Sequence, residues 1–311
     1  MLRYVIEITK KAGEAVLLSV ITAIKDIKQG IKTLKKTQQT IGFVPTMGAL
    51  HSGHLSLVRQ ARKENDKVAV SIFVNPLQFG KNEDLKQYPR TFDYDCELLS
   101  REGVDIVFHP DASEMYPDGF CTSVVLEQLE GKLCGKSRPG HFRGVAVIVL
   151  KLFNLIKPDI AYFGQKDFQQ TVVIKRMVSD LNIDVTVKIL PTIRDENGLA
   201  LSSRNAYLSE TEKKDALCLF KALRKAQSLV NTGVEDTEEI ILEMQKIITH
   251  CQTATIDYIS VLNPETLEPV PEAHRGNVVA LAVRIGKTRL IDNIILALLI
   301  ALFIHLACFI G

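Results

Sequence analysis

Between residues 41 and 191 the chain alternates short apolar runs with stretches of helical period, and this alternation constrains the fold more than any other feature. An apolar run buried on both faces, then an amphipathic helix, then another apolar run, is the pattern a parallel sheet demands. Strands are predicted over 41–44, 68–74, 106–108, 160–163 and 185–190, and helices over 52–62, 91–101, 145–156 and 168–181. Pro45 is expected to stop the first strand. After Pro191 the pattern changes to two long helical stretches, 210–230 and 237–251, followed by strand-like segments at 256–262 and 278–285. The expected fold class is therefore α/β, a parallel-sheet domain with a smaller C-terminal α+β domain. Ser209 followed by Glu212 matches a capping box, and Gly233 suits the end of the first long helix.

Composition narrows the function classes. With 311 residues, 46% of them hydrophobic, the chain can bury a full core and is long enough for two domains. Lys and Arg total 38 against 36 acidic residues, and no segment interleaves basic residues with aromatics, so nucleic acid is not expected as a partner. The Lys-rich run 25–36 carries Ile24, Ile27, Ile31 and Leu34 at helical intervals and reads as the solvated face of an ordinary helix. The cysteines at 96, 121, 134, 218, 251 and 308 form no C-x-x-C and no recurring spacing, which suits reduced thiols in a cytoplasmic protein. Glu7, Lys10, Lys11 and Glu14 interrupt any secretory signal at the N-terminus. The run 294–311 is apolar, with His305 its polar residue; it falls short of the roughly 20 residues that span a bilayer, so membrane contact is conceivable but not favoured.

Loops after the strands carry the chemistry, and in open parallel sheets ligands bind at the carboxyl ends of strands. In I-G-F-V-P-T-M-G-A-L-H-S-G-H, 41–54, His51 and His54 fall at the first turn of a helix, where unpaired N–H groups and the macrodipole favour an anion. Gly48 and Gly53 let the backbone come close. A zinc reading of H-x-x-H lacks the H-E-x-x-H pattern and further ligands at matched spacing. V-N-P-L-Q-F-G, 74–80, presents Gln78 at the end of the second strand, where an amide can read a small polar substrate. F-G-Q-K-D-F-Q-Q, 163–170, repeats the strand-to-helix arrangement with Asp167 placed as a cap. Lys166 beside it opposes the helix dipole unless an anion is bound, and Gln170 lies one turn on. R-D-E-N-G-L-A-L-S-S-R-N, 194–205, sets Ser202 and Ser203 beside Arg204, which suits phosphate oxygens or a plain polar loop. R-P-G-H-F-R-G, 138–144, adds two arginines and His141, suited to an acidic substrate. No activated nucleophile is evident, as attack of one substrate on another would allow.

These motifs, P-T-M-G-A-L-H-S-G-H, V-N-P-L-Q-F, Y-P-R-T, G-x-K-D-x-Q-Q and L-S-S-R-N, occur in this order between 41 and 293. Together they resemble the pantothenate synthetase family, the pantoate–β-alanine ligases. The resemblance implies a Rossmann-like domain binding ATP and pantoate over 1–191 and a lid domain over 192–293, with the tail 294–311 outside it. It also implies condensation of pantoate with β-alanine through a pantoyl adenylate, releasing AMP and pyrophosphate. By position, ATP would meet Met47, Gly48, Ala49, Leu50, His51, Ser52, Gly53 and His54, then Gly164, Gln165, Lys166 and Asp167, then Ile193, Leu201, Ser202, Ser203 and Arg204. His54, His51, Lys166 and Arg204 would be catalytic, His54 as proton donor to the departing phosphate. Gln78, Gln170 and Arg138 would hold pantoate, and Gln78 would also meet β-alanine. Mg2+ would accompany ATP, with Asp95, beside Asp93, as its protein neighbour, and the family is typically a homodimer. Gln165 stands where the family commonly has Glu. A related nucleotidyltransferase acting on a phosphorylated alcohol is the alternative, which the two glutamines disfavour.

Overall fold

The computed structural model describes residues 3–9, 15–81 and 83–297. The chain divides into two compact units, the first ending at Tyr207 and the second beginning at Leu208, so residues 192–207 lie with the first unit.

In the first unit the elements run β1 (Arg3–Thr9), β2 (Ala15–Ile21), α1 (Ile24–Lys36), β3 (Ile41–Thr46), α2 (Ser52–Glu64), β4 (Lys67–Ile72), a 3-10 turn (Pro76–Gln78), α3 (Phe92–Arg101) and β5 (Ile106–Phe108). They continue with α4 (Ala112–Met115), α5 (Cys134–Ser137), α6 (His141–Ile156), β6 (Ile160–Gly164), a 3-10 turn (Gln165–Asp167), α7 (Phe168–Asp180), β7 (Thr186–Leu190) and a 3-10 turn (Ser203–Tyr207). The sheet order is β1-β2-β5-β4-β3-β6-β7. β1 pairs antiparallel with β2 at one edge, and every other pairing is parallel. Neither β1 nor β2 was foreseen from the alternation that begins at residue 41.

Alternate residues along each strand face opposite layers. Phe43, Ala69 and Phe108 join α1, α6 and α7 through Ile27, Ile31, Val145, Phe153, Ile174 and Met177. Val44, Val70 and Val107 meet α2 and α3 through Leu55, Val58, Ala61 and Leu99. Burying such side chains contributes about 1.5–3 kcal/mol each, and truncating Phe43 to Ala would cost about 3–5 kcal/mol.

The topology sets the position of the site. From β3 the chain moves through β4 and β5 to one side, and β6 starts on the other, so the switch point lies between β3 and β6. Those two strands pair only through Gly42 with Ile160 and Phe43 with Ala161. Beyond that, β3 stays with β4 as far as Thr46, and β6 stays with β7 as far as Gly164. The strands therefore part at their carboxyl ends. Pro45 does not stop β3 as expected; it lies within the strand, opposite Ser71. A proline lacks the ladder donor, and this one sits past the last pair with β6, where that donor is not required. α6 starts at His141, a turn earlier than predicted, because Gly140 takes a left-handed φ of 81° at its N-cap.

The second unit contains α8 (Glu210–Asn231), α9 (Thr237–Thr249), β8 (Ala254–Leu262), β9 (Val278–Ile285) and β10 (Thr288–Ile295), with antiparallel order β10-β9-β8. Ser209 and Glu212 form the expected reciprocal cap, and Gly233 takes a φ of 91° after α8 while Val234 N donates to Leu229 O. β10 was not predicted, since its sequence T-R-L-I-D-N-I-I mixes charge with apolar residues. It absorbs the start of the apolar tail. Ile294 and Ile295 belong to the strand, and Leu296 is buried with its N–H on Asn277 O. The rest of the tail, 298–311, lies outside the described residues. Among the described residues no helix is long and apolar enough to cross a membrane.

Candidate active site

A cavity opens in the first unit at the switch point, lined from β3 by Pro45, Thr46 and Met47, and from β6 by Tyr162, Phe163 and Gly164. Its polar wall holds His51, His54, Gln78, Arg138, Lys166, Asp167, Gln170, Ser202, Ser203 and Arg204, with Gly53, Ile193 and Leu201. The sequence motifs thus meet in one place. Gly48, Ala49, Leu50, Ser52 and Gln165, expected to meet ATP, are not among the lining residues.

The turn after β3 is built from within. Asp95, fully buried on α3, accepts from Ala49 N and Leu50 N, both at 2.9 Å, and from Thr91 Oγ1 at 3.1 Å. It does not line the cavity, and neither does Asp93, which is exposed on α3. Asp95 therefore anchors the loop, which corrects its expected place as neighbour of a metal ion. Gly48 takes a φ of 82°, which strains any other residue, and a Cβ there would press within 3.0 Å of Asp95 Oδ2. His51 is the N-cap of α2, and its Nδ1 accepts from Gly53 N at 3.1 Å. His54 Nδ1 accepts from His51 N at 3.4 Å. Gly53 is needed because a Cβ there would lie 2.8 Å from the His51 ring.

These bonds change what the turn can offer an anion. Main-chain donors at 49, 50, 51 and 53 are taken by side chains of the protein itself. With Nδ1 accepting on both rings, the proton of each neutral imidazole is on Nε2. Burial, with Lys166 second, holds His51 down to about 4. Burial, with His51 second, holds His54 down to about 3. The ring centroids are 4.1 Å apart. The pair thus presents two neutral N–H donors.

The turn after β6 is built differently. Asp167 occupies the N-cap position of α7 but makes no capping bond, contrary to its expected role, and lines the cavity. Lys166 Nζ lies 3.9 Å from Asp167 Oδ1, with the lysine side chain 19% exposed. Gln169, the neighbour of Gln170, is buried and structural: Oε1 accepts from Cys134 N, while Nε2 donates to Leu129 O and Lys132 O.

Two cations are already committed. Arg204 pairs bidentately with Asp84, Nε to Oδ2 at 3.0 Å and Nη2 to Oδ1 at 2.9 Å, and Ser203 Oγ meets Tyr88 Oη at 3.1 Å. Arg138, expected to bind an acidic substrate directly, pairs with Glu83 through Nε and Nη2 and reaches His141 Nε2 at 3.0 Å. His141 Nδ1 donates to Gln78 O at 2.7 Å, and burial, with Arg138 second, holds its ring down to about 4. Gln78 is buried, with Asn75 Nδ2 donating to its Oε1 at 3.1 Å.

Sequence reasoning missed Thr46, Asn75 and Tyr88 in the lining, together with the apolar wall of Phe73, Val145, Ile148, Val149 and Leu152. Asn75 was within reach, since an Asn before Pro caps a turn. The apolar wall was not, because its residues share the helical period of the core.

Comparison with known proteins bears on the fold and the family. The family model described as pantoate-beta-alanine ligase matches residues 19–295. The pantothenate synthetase of Thermotoga petrophila is 52% identical over 279 residues, covering 90% of this chain and all of the relative. That of Koribacter versatilis is 51% identical, covering 90% of this chain and 96% of the relative. Among solved structures, the Thermus thermophilus pantothenate synthetase superposes with a TM-score of 0.86 at 42% identity, covering 90% of this chain and 99% of the other. The Francisella tularensis pantoate-beta-alanine ligase, complexed with beta-gamma ATP and beta-alanine, gives 0.75 at 38% identity, covering 89% and 97%. A Rossmann-like sheet with this cavity at its switch point, matched over nine-tenths of its length, places the chain in the pantoate–β-alanine ligase family.

Proposed function

We propose that the chain condenses pantoate with β-alanine at the expense of ATP, through a pantoyl adenylate. What supports this is the convergence on one cavity of a neutral imidazole pair, Lys166 and Arg204 with two buried or half-buried amides, Gln78 and Gln170. In the first step a pantoate carboxylate oxygen attacks the α-phosphorus of ATP, and the bond to pyrophosphate breaks. In the second the β-alanine amine attacks the acyl carbon and AMP leaves. Among the described residues no cysteine lines the cavity, and the Ser203 hydroxyl bonds Tyr88 rather than a base, which suits a protein that positions two substrates and contributes no nucleophile of its own.

Charge builds on the phosphate oxygens as pyrophosphate departs, and Lys166 with the two Nε2–H groups would stabilise it there. With burial and His51 holding its pKa down to about 3 in the free protein, His54 would donate a hydrogen bond through Nε2, and the proton donation that the resemblance implies would require bound phosphate charge to raise that value. Arg204 would keep Asp84 on one edge of its fork and turn the other to phosphate. The apolar wall from Phe73 to Leu152 suits the branched carbon of pantoate, and Gln78 and Gln170 its oxygens.

Among the described residues lining the cavity, Asp167 supplies a carboxylate, and no cluster of three or more His, Cys, Asp or Glu is found among the described residues. That donor set fits Mg2+ carried on phosphate oxygens, with Asp167 as the residue that would hold it and screening of charge as what it supplies. A cytosolic homodimer completes the proposal. Fractionation of the full chain against one truncated after Ala297 tests the first property, because an earlier cut would remove part of β10. The central test is pantoate-dependent exchange of pyrophosphate into ATP. Pure protein that never exchanges, with AMP formation equally absent when both substrates are supplied, would sink the proposal.

A further inference from the structure

Outside the cavity lining, Tyr116 closes a line of hydrogen bonds that ends on Gln78. The residue follows α4, which is pinned by the fully buried Met115 and by Glu114 Oε1 accepting from Ile24 N at 2.6 Å. Its Oη donates to Asn75 Oδ1 at 2.7 Å. Burial pushes the phenol well above its ordinary value, so it stays a donor. Leu77 N also donates to Asn75 Oδ1, at 3.3 Å. With that oxygen taken by two donors, the Asn75 amide can take only one orientation. Its Nδ2 then donates to Gly144 O at 3.0 Å and to Gln78 Oε1 at 3.1 Å.

The same logic passes to the next amide. Because Gln78 Oε1 faces a donor, its Nε2 must point the other way, and it does, toward Met47 Sδ. A thioether is a weak acceptor, so a substrate oxygen entering beside Met47 competes for that amide with advantage. The approach of the two segments is itself enforced. Gly144 on α6 sits so near that a Cβ would lie 2.3 Å from Leu77 O and 2.6 Å from Gln78 N. The Tyr116 ring is held by Phe73, with centroids 6.1 Å apart, and by Lys151 Nζ 5.7 Å from its centroid.

We propose that Tyr116 is a positioning residue for substrate selection: through Asn75 it makes the Gln78 side chain a hydrogen-bond donor to a pantoate oxygen and denies it the acceptor orientation. The proposal rests on the function proposed above. Without the Tyr116 hydroxyl, the Asn75 amide can rotate, and Gln78 loses the partner that orients it. The residue does not touch substrate and acts only through the two amides.

The test is a cycle of Tyr116→Phe and Gln78→Ala, read as KM for pantoate and kcat in pyrophosphate exchange, at a temperature where circular dichroism shows every variant folded. Tyr116→Phe should raise KM for pantoate about five- to tenfold, the worth of one hydrogen bond, with kcat within about twofold. In the Gln78→Ala background it should change neither. Asn75→Asp, which can still accept from Tyr116 but cannot donate to Gln78, should raise KM at least as much as Tyr116→Phe. An unchanged KM in Tyr116→Phe overturns the proposal, and so does an equal rise in both backgrounds, which a merely structural role would produce. If the unmutated protein shows no pantoate-dependent exchange, the functional reading itself has failed, an outcome distinct from either.

Discussion

The two strand-to-helix turns that flank the switch point solve the same problem in opposite ways. After β3, the protein satisfies its own turn: Asp95 takes two amides, His51 accepts from Gly53 N and His54 from His51 N, and the phosphate would meet side-chain N–H groups. After β6, the N-cap residue Asp167 makes no capping bond, and a lysine stands just before it, in the 3-10 turn that leads into the helix, against the dipole. The first turn is preorganised and shows neutral imidazoles to the cavity. The second is charged, and in the proposed function a phosphate would lie beside it. Rigidity and charge, which a single P-loop-like turn would have to combine, are divided between two turns here.

The largest effect should come from the charged turn. Lys166→Met should lower pyrophosphate exchange about 10²–10³-fold while leaving thermal stability unchanged or raised, because a lysine at a helix start is unfavourable without an anion. A variant that loses stability in step with activity would show that the lysine is structural. His54 separates the two functions of the neutral turn. In His54→Asn the side-chain oxygen can replace Nδ1 as acceptor from His51 N, but nothing replaces Nε2–H. Exchange should fall about 10²-fold with stability kept and pantoate affinity little changed. His54→Gln should do the reverse, keeping part of the exchange rate and losing about 1 kcal/mol of stability. Equal losses in both variants would merge the roles that the comparison keeps apart.

Asp95→Asn should cost about 1–3 kcal/mol in denaturant unfolding, since an amide cannot accept from Ala49 N and Leu50 N while presenting its own hydrogens. Added Mg2+ should not restore it; recovery by the metal would return Asp95 to the cation. The smallest effect concerns pH. Folding lowers the pKa of His51, His54 and His141 below the ordinary 6.5, so the unfolded chain binds more protons as pH falls. Their stability is fully present above about 6.5 and is lost as pH falls, toward about 4 for His51 and His141 and about 3 for His54. Exchange rates should therefore show no histidine limb between about pH 6.5 and 8. A limb near 6.5 that disappears in His54→Asn would mean the imidazolium is the working form after all.

Much of this was legible in the chain, for identifiable reasons. The strands β3 to β7 and the helices α2, α3, α6 and α7 follow from apolar period, whereas the one-turn helices α4 and α5 are too short to show it, and Ser209 with Glu212 capped α8 as their spacing required. His51, His54, Lys166, Gln78 and Gln170 were found because each stands at a strand's end. Pro45 was misread because a proline's tolerance depends on which neighbour strand it faces, a fact of pairing and not of sequence. Asp167 was misread because its capping position alone does not turn a carboxylate back to its helix.

By itself the sequence determined the alternation that makes a parallel sheet, the placing of the loaded loops at its carboxyl edge, and the kind of chemistry they hold, because period and residue type are local properties. Only the tertiary structure decided which atoms remain for a ligand. Asp95 reaches the β3 turn from α3, Asp84 claims one edge of Arg204, and Tyr116 orients Gln78 through Asn75. A hydrogen-bonding group can be spent on a partner far along the chain, and that choice is made by packing, at a distance no spacing in the sequence records.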